Sequence, residues 1–288
     1  MQVDYIICNN PYESYKMIYY TWGTQGANTK TIICLHGLNR NARDWDYLAT
    51  HMANLGYFVI SPDIVGRGNS DYLSNPLGYD IEFYAKDIIQ LINTLKLTNI
   101  SIIGTSMGGL IAMLLASNQQ HKHHIQKMIL NDVGAKIDSA GIHEIMNLSD
   151  NDIKCKSFNE ALKVLQHGIG NSFGILPDHI WHHMTLHSFQ KNTYGDYQLK
   201  RDPQINQALS KQKDFDLSRD VELWHYWESI KIPTLIIRGA NSQFLSVDTI
   251  NTMQQINELT SYVTIKGAAH APFLHTTEHC TIINNFLQ

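Results

Sequence analysis

Ser106 stands among glycines in GTSMGG (104–109), where the apolar run ISIIG gives way to a helical pattern. The spacing is G-x-S-x-G at a strand-to-helix turn. A serine on so sharp a turn needs small neighbours, because the backbone is strained and adjacent residues come close. The turn lifts the hydroxyl above the sheet edge at a helix N-terminus, which favours developing negative charge. Such a serine suits attack on a carbonyl, which needs a base, donors for the oxyanion and an acid that orients the base. His270 in GAAHAP (267–272) is the expected base, since small residues around it let its loop fold back over Ser106. In CLHGLNR (34–40) an H-G pair follows the third strand, and the Leu38 and Met107 backbone N–H groups are expected to form the oxyanion hole. His36 is expected to brace that loop by hydrogen bonding.

These residues need a frame that brings them together, and the chain has a suitable rhythm. Two strands, VDYIIC and KMIYYTWG, open it as an antiparallel pair. Strands then alternate with helices: TIICLHG (31–37), a helix over 42–56, YFVISPD (57–63), a helix over 80–97, ISIIG (100–104), a helix over 105–118 and IQKMILND (125–132). Alternation of this kind predicts a mostly parallel sheet with helices on both faces. From 136 to about 218 the pattern is helical or irregular, with several histidines and aromatics and no convincing strand. IKIPTLIIRG (230–239) resumes the strands, followed by a helix (246–257), SYVTIKG (261–267) and a last helix from 275. The expected organisation is a core of 1–135 and 219–288 with a helical cap, 136–218, inserted over the sheet edge where ligands bind in open α/β sheets.

Composition removes several other classes. A formal net charge of -4 with no basic stripe leaves no footprint for nucleic acid or an anionic membrane. No apolar run approaches a membrane span. Cys8, Cys34, Cys155 and Cys280 lie far apart with no CxxC pair, which predicts a reduced, soluble, cytoplasmic protein. His179, His183 and His187 are spaced by four in DHIWHHMTLH, on one face of a helix. Imidazoles at that spacing can bind zinc. No cysteine or acid within the segment completes a set, so the expectation is no metal and a solvated or pocket-lining face. HKHHI (121–125) reads as a polar helix end. Trp224 and Trp227 are expected to hold the returning helix on the core, whereas Trp181 and Phe173 belong to the cap's interior or to a pocket wall.

Taken in order, the H-G loop, PDIVGRGNSD (62–71), GTSMGG, LNDVG (130–134), the strand before GANS and GAAHAP resemble the α/β-hydrolase superfamily over essentially the whole chain. The likeness is to lid-containing bacterial serine hydrolases of the esterase and lipase kind. It implies a Ser–His–acid triad, no cofactor and no metal. The substrate it implies is a small ester-like molecule: a carboxylic ester, thioester or lactone.

The resemblance also exposes a departure. The family's acid is usually an Asp in a GxxSD turn after the strand before last, and here GANSQ puts the amide Gln243 in its place. An amide cannot stabilise the imidazolium, and Asp-to-Asn at such a site costs a serine protease about 10⁴ in turnover. Asp132 ends IQKMILND, one strand over on the same sheet edge, and keeps the chain order Ser106, Asp132, His270. It is the expected acid, with a purely structural role as the alternative. Asp248 in LSVDT is a third candidate, better explained by its place at a helix start. Asp63 and Arg67 are expected to organise the loop after their strand. Dehalogenases and epoxide hydrolases of this fold use an Asp nucleophile, whereas this chain has Ser106. Carbon–carbon bond hydrolases typically show Asn before the serine and Trp after the histidine, whereas Thr105 and Ala271 stand here. That activity remains an alternative, as does a ligand-binding protein on a hydrolase scaffold.

Overall fold

The computed structural model describes residues 1–26, 28–118, 125–139, 153–209 and 220–288. Eight strands form the central sheet: β1 (Gln2–Asn9), β2 (Ser14–Trp22), β3 (Thr31–Leu35), β4 (Phe58–Pro62), β5 (Ile100–Thr105), β6 (Ile125–Asn131), and, after the insertion, Thr234–Gly239 and Thr260–Ile265. β1 and β2 pair antiparallel, β2 meets β4 antiparallel, and all other neighbours run parallel. The inner parallel strands are sandwiched, so they read as largely apolar runs, whereas the parallel edge strand Thr260–Ile265 is half exposed. All five residues of TIICL in β3 are buried. Alternate residues serve opposite faces: Ile33 and Leu35 join one core cluster, Ile32 and Cys34 the other.

The first cluster is covered by helices α2 (Ile81–Thr94) and α3 (Met107–Ser117), the second by α1 (Asp46–Asn54) and the C-terminal helix Thr277–Leu287. Two of these helices begin where a side chain accepts from their free N–H groups: Asp80 caps α2 through Glu82 N, and Thr276 caps the last helix through His279 N. The doubly covered, mostly parallel sheet is the fold that the strand rhythm predicts. All four cysteines are free and buried. Among the described residues no helix is long and apolar enough to cross a membrane.

After β6 the chain leaves the sheet. β7 (Lys136–Ile137) pairs antiparallel with β11 (Val221–Glu222), which closes the excursion at its base. Between them lie β8 (Lys154–Cys155), α4 (Phe158–Phe173), α5 (Asp178–Ser188), β9 (Phe189–Lys191), β10 (Tyr197–Leu199) and α6 (Gln204–Leu209). β8, β10 and β9 form a small antiparallel sheet, which corrects the expectation of no strand here. Strands of two or three residues are too short to show a period of two, so the pattern conceals them. α4 and α5 bury Ala161, Leu165, Ile180, Trp181 and Met184 in a separate apolar cluster, joined from the core by Phe273. Residues 140–152 and 210–219, and 121–124 of HKHHI, lie outside the described residues. The chain then returns through β11 and α7 (Trp224–Trp227) into β12 (Thr234–Gly239), α8 (Val247–Ile256), β13 (Thr260–Ile265) and α9 (Thr277–Leu287). Trp227 is fully buried and its Nε1 donates to the Met253 carbonyl at 2.9 Å, fastening the return to α8.

Candidate active site

Ser106 joins β5 to α3 with φ 51° and ψ -117°, a conformation that strains any residue with a side chain. The flanking glycines permit it. A Cβ on Gly108 would lie 2.1 Å from the Leu35 carbonyl oxygen, so the helix could not sit this close to β3 with any larger residue. The Ser106 carbonyl starts α3 by accepting from Gly109 N at 2.8 Å and Leu110 N at 3.1 Å. Its hydroxyl points elsewhere: Oγ is 2.9 Å from His270 Nε2.

The other ring nitrogen, Nδ1, lies 2.8 Å from Asp132 Oδ2. A carboxylate can only accept, so Nδ1 carries the proton and Nε2 presents its lone pair to the serine hydroxyl. Phe244 lies against the ring, centroids 4.0 Å apart and planes at 33°. Asn131 ties the two loops together by donating through Nδ2 to Thr105 Oγ1 (2.9 Å) and the Pro272 carbonyl (3.0 Å).

Asp132 is fully buried, with φ 54°, one residue beyond β6. Its own N–H donates to the Ile237 carbonyl at 2.7 Å, which prolongs the pairing with β12 past the formal strand end. Oδ1 accepts from Gly239 N at 2.9 Å, and Oδ2 accepts from Ser242 Oγ at 2.6 Å as well as from His270. Ser242 Oγ in turn accepts from the N–H groups of Phe244 (3.1 Å) and Leu245 (3.3 Å), which leaves its proton for Asp132. A buried carboxylate without partners would be costly, and three donors satisfy this one. Gly239 is held so close to the histidine loop that a Cβ on it would meet the Ala269 carbonyl oxygen at 2.0 Å.

Gln243 and Asp248 are both exposed, Asp248 in the first turn of α8. His270 Nδ1 is taken by Asp132, so neither is needed to hold the ring. Ser242 and Phe244 escaped sequence reasoning. In GANSQF a serine reads as an ordinary turn residue, and its partner lies 110 positions away. The usable signal was Asp132 itself, a carboxylate at a buried strand end that had to find donors.

The H-G loop is fixed from beneath. The Ile64 N–H donates to His36 Nε2 at 3.0 Å, so Nδ1 carries the proton and donates to the Gly37 carbonyl at 2.8 Å. Burial, with Arg67 and Arg40 nearby, pushes the His36 pKa down to about 3, so it is a neutral brace. Asp63 accepts from Ala42 N and Asn69 N, both at 2.8 Å, and burial raises its pKa to about 6. Arg67, fully buried, reaches both residues expected at the oxyanion site: Nε donates to the Leu38 carbonyl at 3.0 Å and Nη2 to Met107 Sδ at 3.6 Å. Leu38 lines the cavity beside Ser106. Met107 opens α3, where the first N–H groups of a helix have no partner within it.

Above Ser106 and His270 lies a cavity of about 140 Å³. The insertion supplies its apolar wall, including Val164, Ile169, Phe173, Phe189 and Leu199, while Gly37, Leu38 and Arg40 form the floor. The Arg40 guanidinium is engaged by Asp44, Nε to Oδ2 at 2.7 Å, and by Ser188 Oγ at 3.1 Å. Phe173 therefore belongs to the pocket wall, and Trp181 to the insertion's own core. The histidine stripe does not line this cavity. His179 is exposed against Tyr47, whereas His183 and His187 face the core beside Asp46.

Residues 30–276 match the family model described as the alpha/beta hydrolase fold. A 3-hydroxybutyrate-oligomer hydrolase from Cupriavidus necator is 32% identical over 275 residues, 94% of this chain and 92% of the relative. Among solved structures, a candidate hydrolase from Rickettsia typhi superposes with a TM-score of 0.90 at 32% identity, covering 100% of this chain and 99% of its own. An alpha/beta hydrolase from Novosphingobium aromaticivorans gives 0.84 at 25% identity, covering 99% and 97%.

Proposed function

This chain belongs to the α/β-hydrolase family, and from that membership we propose that it is a serine hydrolase of carboxylic esters, thioesters or lactones. The observation that carries the reading is the continuous hydrogen-bonded chain Ser106 Oγ–His270 Nε2 and His270 Nδ1–Asp132 Oδ2, at 2.9 and 2.8 Å. Ser106 attacks the substrate carbonyl while His270 Nε2 takes its proton. The oxyanion is received by the backbone N–H groups of Leu38 and Met107. Collapse of the tetrahedral intermediate expels the alcohol or thiol, which leaves with the proton held on His270. Water then repeats the sequence on the acyl-enzyme, with His270 again as base. Asp132 keeps Nδ1 protonated and stabilises the imidazolium in both halves.

The insertion acts as a cap that supplies the acyl site. Its wall is apolar and branched, and the cavity is small, which suits a short acyl group better than a long chain. The relative from Cupriavidus necator is a 3-hydroxybutyrate-oligomer hydrolase. Short linear oligomers of 3-hydroxybutyrate, which are esters of a small methyl-branched unit, are accordingly the first natural substrates to offer. A reducing, cytoplasmic setting fits four free buried cysteines.

The test is covalent labelling with a fluorophosphonate, together with hydrolysis of a short p-nitrophenyl ester and of 3-hydroxybutyrate dimer and trimer. Labelling that disappears in Ser106→Ala is expected, with ester turnover lost alongside it. Folded wild-type protein that neither labels nor turns over any of these esters would overturn the reading and leave a ligand-binding role for the cavity.

A further inference from the structure

The sequence places His179, His183 and His187 on one helix face but offers no acid within that segment to join them. The fold supplies one from 137 residues earlier. Asp46, at the start of α1 in the core, faces His183 and His187 on α5 of the insertion, and one ligand atom from each lies within 4.8 Å of the others. His183 Nε2 is 3.2 Å from Asp46 Oδ2. Zinc–nitrogen and zinc–oxygen bonds near 2.1 Å at tetrahedral angles put neighbouring donor atoms about 3.4 Å apart. The His183–Asp46 pair already has that spacing, and His187 needs to move in by no more than about 1.5 Å to join it.

The cluster is also organised for positive charge. Arg43 Nη2 sits 2.5 Å from Asp46 Oδ2, and Nη1 is 3.4 Å from His187 Nδ1. The guanidinium therefore lies where the three ligand atoms converge. Its Nε donates to both Asp46 oxygens, Oδ1 at 2.9 Å and Oδ2 at 3.0 Å, and the guanidinium lies 5.2 Å from the Tyr20 ring centroid, so an ion on Oδ2 must displace it toward Oδ1 and that ring. The side chains of His183 and Asp46 are 19% and 14% exposed, sheltered yet reachable from solvent.

We propose that Asp46, His183 and His187 form a binding site for a divalent transition-metal ion of the zinc class, spanning the junction between core and insertion. Two imidazoles with one carboxylate favour such an ion over magnesium or calcium, which take oxygen ligands. On binding, His183 releases its Nε2 proton to solvent, Arg43 gives up its place on Asp46 Oδ2, and water completes the coordination. The ion would pin α5 to α1. α5 already meets the loop that carries Leu38 and Arg40, since Asn41 Nδ2 donates to the His187 carbonyl at 3.1 Å. The site lies outside the cavity and does not depend on the chemistry proposed for Ser106.

The experiment is calorimetric titration of the metal-free full chain with zinc chloride, with thermal unfolding measured in parallel. The comparison variants are His183→Gln, which keeps a donor to Asp46, and Asp46→Asn. Wild type should bind about one equivalent more zinc than either variant, with a Kd of about 10 μM or tighter, and its Tm should rise with zinc while theirs does not. His187→Ala should weaken that equivalent by at least about tenfold. Arg43→Met should strengthen it, because the competing cation is gone. Equal stoichiometry and affinity in wild type and His183→Gln would mean that zinc is held elsewhere, and would overturn the proposal. So would the absence of binding to wild type at 1 mM zinc, a level about a hundredfold above the expected Kd.

Discussion

The turns after β6 and β12 lie side by side on one sheet edge, paired in register as far as Asn131 opposite Ile237, yet they carry opposite burdens. The turn after β6 holds a fully buried carboxylate, Asp132, against the histidine. The turn after β12, where the family usually keeps its acid, exposes Gln243 and gives the Gly239 N–H and the Ser242 hydroxyl to that same carboxylate. What matters to the imidazole is the position of the charge, and two adjacent parallel strands can deliver it to nearly the same point. The turn without the acid keeps a task, because it supplies two of the three donors that make a buried charge tolerable.

Substitutions can break this comparison one side at a time. Ser106→Ala removes the proposed nucleophile common to both arrangements, and should lower kcat by about 10⁵ or more with the fold intact by circular dichroism. Gly239→Ala attacks the contact between the turns. Its Cβ meets the Ala269 carbonyl oxygen, so the histidine loop must shift, and kcat/KM should fall by about 10²-fold with a lowered Tm. Ser242→Ala leaves two backbone N–H groups and one carboxylate lobe short of a partner. An expected loss of about tenfold in kcat, with KM within about threefold, would mark it as a positioning residue for Asp132. Gln243→Asp restores the family's usual residue, and steady-state kinetics should move by less than about tenfold, because His270 Nδ1 is already occupied.

The middle of the sheet was legible because its strands are buried on both faces. TIICL, ISIIG and TLIIRG are continuous apolar runs that local sequence displays without help. Ser106 and His270 were legible for a related reason: sharp turns and close loops force small residues around them, and GTSMGG and GAAHAP carry that mark. Asp132 could be reached by asking which strand end lies beside the vacant one. Ser242 could not, because its role depends on a partner across 110 residues and leaves no local trace. The strands at Lys154–Cys155, Phe189–Lys191 and Tyr197–Leu199 escaped for want of length. The histidines of α5 were legible as a stripe, while Asp46 opposite them became visible only when α1 and α5 were brought together by the fold.

The central claim is that Asp132 supplies the charge and the turn after β12 only steadies it. The most direct test is kcat/KM of Asp132→Asn against wild type on a short p-nitrophenyl ester, with folding checked by thermal unfolding. The account predicts a loss of about 10³–10⁴ in kcat/KM. A loss of less than about tenfold from an active, folded wild type would contradict it, and would assign Asp132 to holding the two turns together.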